Sequence, residues 1–409
     1  MSISRSGKFF DYICDFTFLL FLSVLITLTT NAKIYFIPVE ILFMSVFSIR
    51  FFARRSKLSL YTIWSVGLAL LAVVSTTYAP NQTAAMRWAI SIVQVVIFGN
   101  LIVPYFRDAQ RNIYVFLISY LFSLLTLGIR VLLSAPLEEL MTRRLGETVG
   151  INANLMGFIY VIGALIVLYF CIVEKKWIMI PLFLLFSVTS LFSGSRRAIF
   201  ILLVGIVLLF ILSSKKPVNI FFAILISGAF VVGIVFLSFY WEPLRKILGV
   251  RIQSLLSIFQ GGEGDGSTNE RIEMVKTGIE MFFQKPILGW GLHAFTDITS
   301  FAKYSHNNYI EVLVTWGIIG FVWYYVFWLF VVLHGIKLLL SSERSNLISI
   351  AVTLLLLFVI DDFGVVRFYN EVSHFLLALG FSAIVRSSPD KGIDIPTLIV
   401  IGLRRFRHS

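Results

Sequence analysis

The chain consists of long apolar stretches separated by short polar segments, and this pattern constrains its fold more than any other feature of the sequence. Hydrophobic residues make up 58% of it and charged residues only 14%, with a mean hydropathy of +0.91. A soluble domain needs more charge to cover its surface, whereas about 20 apolar residues allow a helix to cross about 30 Å of hydrocarbon. We therefore predict an all-α, polytopic membrane helix bundle.

The apolar stretches predict about twelve transmembrane helices, near residues 13–30, 34–52, 58–78, 84–104, 112–134, 154–173, 177–193, 198–213, 218–240, 307–336, 347–361 and 373–387. One long interval, residues 241–305, separates the ninth helix from the tenth and predicts a large helical loop outside the membrane. The expected domains are therefore 1–240 with nine helices, the loop 241–305, and 306–409 with three helices and a cytoplasmic tail.

Lysine and arginine are concentrated in alternate connections, which places both termini on the cytoplasmic side. Arg196 and Arg197, in the sequence SGSRRAIF, lie instead in an outward connection, and Arg143 and Arg144 lie in another. A guanidinium group suits a phosphate or diphosphate because its donors form a planar fork. The small residues Ser193–Ser195 favour Arg196 as the ligand, and the alternative is that both arginines contact lipid headgroups.

The long outward loop begins with a segment, residues 244–259, that predicts a helix lying on the membrane surface. A glycine-rich turn follows, whose Glu263 and Asp265 are candidates for a metal, although the ligand spacing of a calcium loop is missing. Ser267 and Glu270 fit a capping box and predict a helix that ends at Lys285–Pro286. Arg271 is then expected in the first turn, where an anion is favoured, or paired with Glu270.

His306 directly precedes the tenth apolar stretch, and we expect it to cap the outward end of that helix. A histidine at the membrane boundary is placed to accept a proton near neutral pH, although a cap or a lipid contact would also explain it. We interpret His293, in the turn GLHAF, as structural. Gly317 and Gly320 predict close packing of another helix, and Asp361–Asp362 predict a structural pair that Arg367 neutralises.

Three segments, SGSR, NERIEMVKTGIEMFFQKPILGWG and SHNNYIEVLVTWGIIG, in this order and with one large outward loop, resemble the O-antigen ligase and polymerase superfamily. The resemblance implies a membrane glycosyltransferase that takes a glycan from undecaprenyl diphosphate on the periplasmic face and joins it to an acceptor hydroxyl. It implies that Arg196 and Arg271 bind the diphosphate, with Arg197 as the alternative to Arg196, and that His306 is the catalytic base.

The resemblance further implies a bacterial inner (plasma) membrane protein that needs no cofactor, metal or nucleic acid and inverts the sugar linkage. Its partners would be the undecaprenyl-diphosphate-linked glycan, an acceptor glycan or lipid A-core, and a chain-length regulator protein. We favour a repeat-unit polymerase for O-antigen or exopolysaccharide. The alternatives are an O-antigen ligase, an enzyme with a protein acceptor, and a transporter or flippase for lipid-linked oligosaccharide.

Overall fold

The computed structural model describes residues 5–28, 33–56, 58–214, 217–249, 252–253, 266–341 and 346–387. These residues form helices, as predicted, and contain no β-strand. They group into two compact units, the first with residues 1–50 and 110–265 and the second with residues 51–109 and 266–409. The division into 1–240, 241–305 and 306–409 concerns topology across a membrane and stays a prediction.

The helices before the long loop are α1 (Arg5–Thr27), α2 (Lys33–Ala53), α3 (Leu60–Ser75), α4 (Gln82–Asp108), α5 (Gln110–Ser134), α6 (Leu137–Leu140), α7 (Ala153–Ile172), α8 (Ile180–Phe192), α9 (Arg196–Ser213) and α10 (Pro217–Tyr240). Those after it begins are α11 (Glu242–Leu244), α12 (Gly266–Gln284), α13 (Ala294–Ile298), α14 (Asn308–Leu340), α15 (Asn346–Asp361) and α16 (Glu371–Arg386). Short 3-10 helices at Glu147–Val149 and Trp177–Met179 and a π-helical turn at Arg245–Gly249 complete the described secondary structure.

Seven of the described helices are long and apolar enough to cross a membrane: α1, α2, α4, α5, α7, α9 and α14. A bent pair, Ser227–Tyr240 with Glu242–Gly249, would make an eighth. By contrast, α3 and α15 have 16 residues each, so at 1.5 Å per residue they extend only about 24 Å. The chain is thus a multi-pass membrane protein, while twelve spans and a periplasmic loop stay predictions.

Each unit has a core rich in aromatic side chains. In the first unit, Phe18 lies within about 6 Å of Phe43, Phe47 and Phe116, measured between ring centroids. In the second unit, the indole N–H of Trp64 on α3 donates to the carbonyl of Trp323 on α14 at 3.1 Å, and the Trp323 indole donates back at 3.0 Å. This reciprocal pair satisfies both buried donors, as packed tryptophans require, and fixes α3 against α14.

Half of the predicted surface helix lies outside the described residues. The longest described part is a π-helical turn, Arg245–Gly249, that follows α11. Glu263 and Asp265, the candidates for a metal, also lie outside the described residues. In the part of the chain that the structure does describe, no group of three or more His, Cys, Asp or Glu side chains could hold a metal ion.

Candidate functional site

Helix α14 is discontinuous, because Gly317 interrupts it nine residues after its start. Gly317 has φ 60° and ψ −158°, a conformation that is open essentially only to glycine. The interruption frees backbone groups that a loop, residues 286–291, then satisfies. Trp290 and Gly291 donate to the carbonyls of Val314 and Thr315 at 2.8 and 2.9 Å, and Ile318 donates to the carbonyl of Pro286 at 2.8 Å.

Two glycines make this backbone pairing possible. A Cβ on Gly317 would lie 2.5 Å from the Ile287 carbonyl carbon, and a Cβ on Gly289 would lie 2.6 Å from the Val314 carbonyl oxygen. The prediction that Gly317 admits another helix is therefore wrong, whereas for Gly320 it stays a prediction. Gly317 contacts a loop, and a Cβ on Gly320 would meet Trp316 of the same helix.

The first segment of α14, residues 308–316, begins at an asparagine cap. The side chain of Asn307 accepts a hydrogen bond from the backbone N–H of Ile310 at 3.2 Å, which is the geometry of an N-cap. The prediction that His306 caps this helix is therefore wrong: His306 precedes the cap, with φ 55°. Its ring is half-buried and lies 4.3 Å from the ring of Tyr304.

A buried carboxylate holds the backbone next to His306. The backbone N–H of Ser305 donates to Glu311 at 2.8 Å, and the Ser305 hydroxyl donates to the carbonyl of Asn307 at 2.9 Å. Ser305, Asn307 and Glu311 are all buried. The His306 ring is therefore carried on a backbone segment that is fixed on both sides.

A buried ionic network supports the same end of α14. The Arg367 guanidinium contacts both Asp361 and Asp362, and Asn308 donates to Asp362 at 3.1 Å. Tyr325 also donates to Asp362, at 2.8 Å. The prediction that Arg367 neutralises the acidic pair is confirmed, and because the guanidinium and both carboxylates are buried as ion pairs, we interpret the network as structural.

Helix α12 ends at Gln284, before Lys285–Pro286 as predicted, but it begins at Gly266. Ser267 is therefore the second residue of the helix, and its predicted role in a capping box stays a prediction. Arg271 is the sixth residue of the helix, two residues past the first four N–H groups, which were expected to support an anion. Glu270 does not pair with Arg271 but forms an ion pair of 2.7 Å with Lys303. Because Lys303 lies three residues before His306, this ion pair joins the first part of α12 to the segment that carries His306.

Apolar contacts fix α12 in this position. A buried cluster joins it to α13 and to the first segment of α14. The cluster consists of Met274, Met281, Phe295, Ile310 and Val314. In the second unit the structure thus assembles the helix that carries Arg271 and the segment that carries His306 around one core.

His293, which the sequence indicated as structural, has a polar environment of its own. It adopts the left-handed conformation with φ 68°, and its Nδ1 lies 2.9 Å from an Asp297 carboxylate oxygen. Its ring centroid is 5.8 Å from that of Trp88 on α4, which in turn lies 4.1 Å from the ring of Tyr369. Sequence reasoning missed Trp88, Asp297 and Tyr369, although the spacing of His293 and Asp297, one helical turn apart, was a local signal.

Arg196 and Arg197 are the first two residues of α9, in the first unit. The Ser195 hydroxyl oxygen caps this helix by accepting from Ala198 N–H at 3.3 Å, and Gly194, with φ 62°, makes the preceding turn. Both arginines are half-buried, and the Arg197 guanidinium lies 5.9 Å from the Phe158 ring centroid. The N-terminal end of α9 and two guanidinium groups therefore lie together, which favours an anion.

A third arginine, Arg144, lies against this turn. Its Nε donates to the carbonyl of Ser193 at 2.9 Å, and its Nη2 donates to the side chain of Asn154 at 3.0 Å. Arg143, in contrast, forms an exposed ion pair with Glu139 at 2.9 Å. Of Arg143 and Arg144, the structure thus places Arg144 beside the SGSR turn.

An apolar cavity of about 310 Å³ lies in the same unit. Its lining comes from α5, the segment around Leu140, α7 and α8, and includes Leu124, Leu132, Leu145, Tyr160, Phe186 and Phe192. The backbone N–H of Leu145 donates to the carbonyl of Phe192 at 3.0 Å. Because Leu145 follows Arg144 and Phe192 precedes Ser193, one wall of the cavity continues into the SGSR turn, residues 193–196.

The predicted site residues are thus distributed over both units, with Arg196 and Arg197 in the first and Arg271 and His306 in the second. All four lie within residues 181–325, the range that matches the family model described as O-antigen ligase. Comparison with curated proteins gave no match. The matched range begins in α8 and ends in α14, so it contains both the SGSR turn and the interrupted helix. The resemblance to the O-antigen ligase and polymerase superfamily is thus confirmed over residues 181–325, and this match supports the general activity of a membrane glycosyltransferase of that type.

Proposed function

We propose that this chain is a repeat-unit polymerase for O-antigen or exopolysaccharide that uses undecaprenyl-diphosphate-linked glycan as its donor. The observation that carries the donor class is the apolar cavity of the first unit, whose wall continues into the turn with Arg144, Arg196 and Arg197. A hydrocarbon chain attached to a diphosphate needs these two environments side by side, because its tail avoids water and its head carries negative charge.

Arginine serves the leaving group in this proposal. When the bond between the anomeric carbon and the diphosphate oxygen breaks, the electron pair stays on the diphosphate, and its charge must be stabilised. Arg271, together with Arg196 or Arg197, is proposed as a ligand of the diphosphate. Arg271 is suited to this role because the neighbouring carboxylate, Glu270, is engaged by Lys303.

His306 is the proposed base. It takes the proton from the acceptor hydroxyl as that oxygen bonds to the anomeric carbon from the side opposite the diphosphate, which inverts the linkage. General base catalysis of this kind contributes about 10²- to 10⁴-fold in rate. The fixed backbone on both sides of His306 supports the assignment, because a base must be held at a defined distance from the proton it removes.

The test is transfer by the purified chain in lipid nanodiscs, with lipid-linked repeat unit as both donor and acceptor and product length read on a gel. His306→Ala and Arg271→Ala are expected to abolish polymer while the protein remains folded. Matched controls are His334→Gln on α14 and Lys276→Ala on α12, where Lys276 forms an exposed ion pair with Glu273. Full activity of the His306→Ala variant would contradict the assignment of His306 as the general base.

Deletion in the source bacterium separates the polymerase from the alternatives. Loss of long chains with a single repeat unit still attached to the core supports a polymerase. Long carrier-linked polymer together with bare lipid A-core indicates a ligase, and lipid-linked units retained on the cytoplasmic side indicate a flippase. The proposal also places the protein in the bacterial inner membrane with its site facing the periplasm, where a chain-length regulator protein would be a partner.

A further inference from the structure

Three aromatic side chains from three separate segments lie together in the second unit, and His306 is not one of them. Trp88 lies near the start of α4, His293 precedes α13, and Tyr369 lies between α15 and α16. The Trp88 ring is 4.1 Å from the Tyr369 ring in an edge-to-face arrangement and 5.8 Å from the His293 ring. All three side chains are half-buried, so the group is held by packing and still reaches the surface.

The His293 imidazole is fixed in orientation. Its Nδ1 lies 2.9 Å from an Asp297 carboxylate oxygen, and because a carboxylate only accepts, Nδ1 donates in this contact and Nε2 is the ring nitrogen left outside it. The His293 side chain is 22% exposed. The pair therefore presents an imidazole and a carboxylate in a fixed arrangement beside an aromatic surface.

This group lies next to the segment that carries His306. Glu311, which accepts from the backbone of Ser305, also interacts electrostatically with His293. Burial raises the pKa of the Tyr369 phenol, and the nearby Tyr304 and Glu311 add to that increase. Tyr304 is the residue whose ring contacts His306, so charge and ring contacts connect the two groups within one unit.

We propose that Trp88, Tyr369 and the His293–Asp297 pair bind a sugar ring of the acceptor glycan. A pyranose presents C–H groups on one face and hydroxyls along its edge, and an indole face complements the former while the imidazole and carboxylate complement the latter. The proposal rests on the function proposed above, since it assigns the acceptor side of that same reaction. His293 and Asp297 hold the acceptor, and the proton is removed by His306.

The first test is direct binding without any donor. The probe is the oligosaccharide released by mild acid from the lipid-linked repeat unit of the source strain, observed by saturation-transfer NMR on the full chain in nanodiscs. Wild-type protein is expected to bind it. Trp88→Ala should weaken binding at least 10-fold, and Trp88→Phe, which keeps an apolar face, should weaken it less than about 3-fold.

The second test separates the acceptor from the donor in steady-state kinetics. Trp88→Ala and Asp297→Ala should raise the KM for acceptor about 10-fold or more and leave the KM for donor unchanged, and Asp297→Asn should restore part of the loss. Trp177→Ala, at a tryptophan that is 54% exposed in the other unit, is the matched control and should behave as wild type.

Three results would overturn the inference: no oligosaccharide binding by wild type, equal binding by Trp88→Ala, or an unchanged acceptor KM in both alanine variants with normal thermal stability. Failure of the proposed function has a different signature. In that case wild type forms no polymer from the lipid-linked unit, while the binding comparison between wild type and Trp88→Ala still decides the sugar site.

Discussion

Gly317→Ala should be among the most damaging single-methyl substitutions in this chain. The conformation at Gly317, φ 60° and ψ −158°, costs a residue with a side chain about 1–3 kcal/mol. The new methyl group would also lie 2.5 Å from the carbonyl carbon of Ile287 and 2.7 Å from the carbonyl oxygen of Pro286. The loop 286–291 must then move away from α14.

Movement of the loop also weakens the hydrogen bonds that Ile318 and Ile319 donate to it, each worth about 0.5–1.5 kcal/mol. Strain and hydrogen bonds together give a loss of about 2–6 kcal/mol in the free energy of unfolding. For a unit of this size, that corresponds to a fall in Tm of about 4 °C or more. Thermal unfolding in detergent, followed by tryptophan fluorescence, measures the change.

Gly228→Ala on α10 is the matched control, because a Cβ there meets nothing within 4 Å and alanine favours a helix. Gly289→Ala should resemble Gly317→Ala, and the double variant should lose less than the two single losses added together, since both methyl groups displace the same loop. A Tm for Gly317→Ala within 1 °C of wild type and of Gly228→Ala would refute the assignment of this glycine.

Three further predictions concern the cap, the ionic network and the metal. Asn307→Ala should lower the free energy of unfolding by about 1 kcal/mol, and Asn307→Asp should preserve it, because Asn307 caps α14; equal losses in both variants would contradict this. Arg367→Ala should cost about 3–5 kcal/mol because it leaves two buried carboxylates uncompensated, whereas Arg143→Ala, at an exposed pair, should change stability by less than about 1 kcal/mol. Treatment with EDTA should leave sugar transfer intact, and a loss reversed by Mg²⁺ would direct attention to Glu263 and Asp265.

The long apolar stretches alone were enough to predict a helical, multi-pass membrane protein, while the number of its spans stays a prediction. This succeeds because a backbone in hydrocarbon must satisfy its own hydrogen bonds, which leaves helices as the solution for long apolar segments. The same local reasoning found the end of α12 at Lys285–Pro286 and the partner of Asp361–Asp362. Both features depend on residues close together in sequence.

The sequence could not predict which residue caps α14 or what Gly317 does. Asn307 and His306 are adjacent, and the choice between them depends on the backbone conformation that Glu311 fixes through Ser305. Gly317 is explained only by the loop 286–291, which returns to α14 from some thirty residues earlier in the chain. Local patterns contain no information about such pairing.

The motifs in the sequence were sufficient to nominate Arg196, Arg197, Arg271 and His306 and to indicate the family. Tertiary structure alone decided that Arg144 lies at the SGSR turn beside an apolar cavity, and that Trp88, His293 and Tyr369 form one group. The physical reason is that these residues come from segments far apart in sequence, and only the packing of helices and loops around each unit's core brings their side chains together.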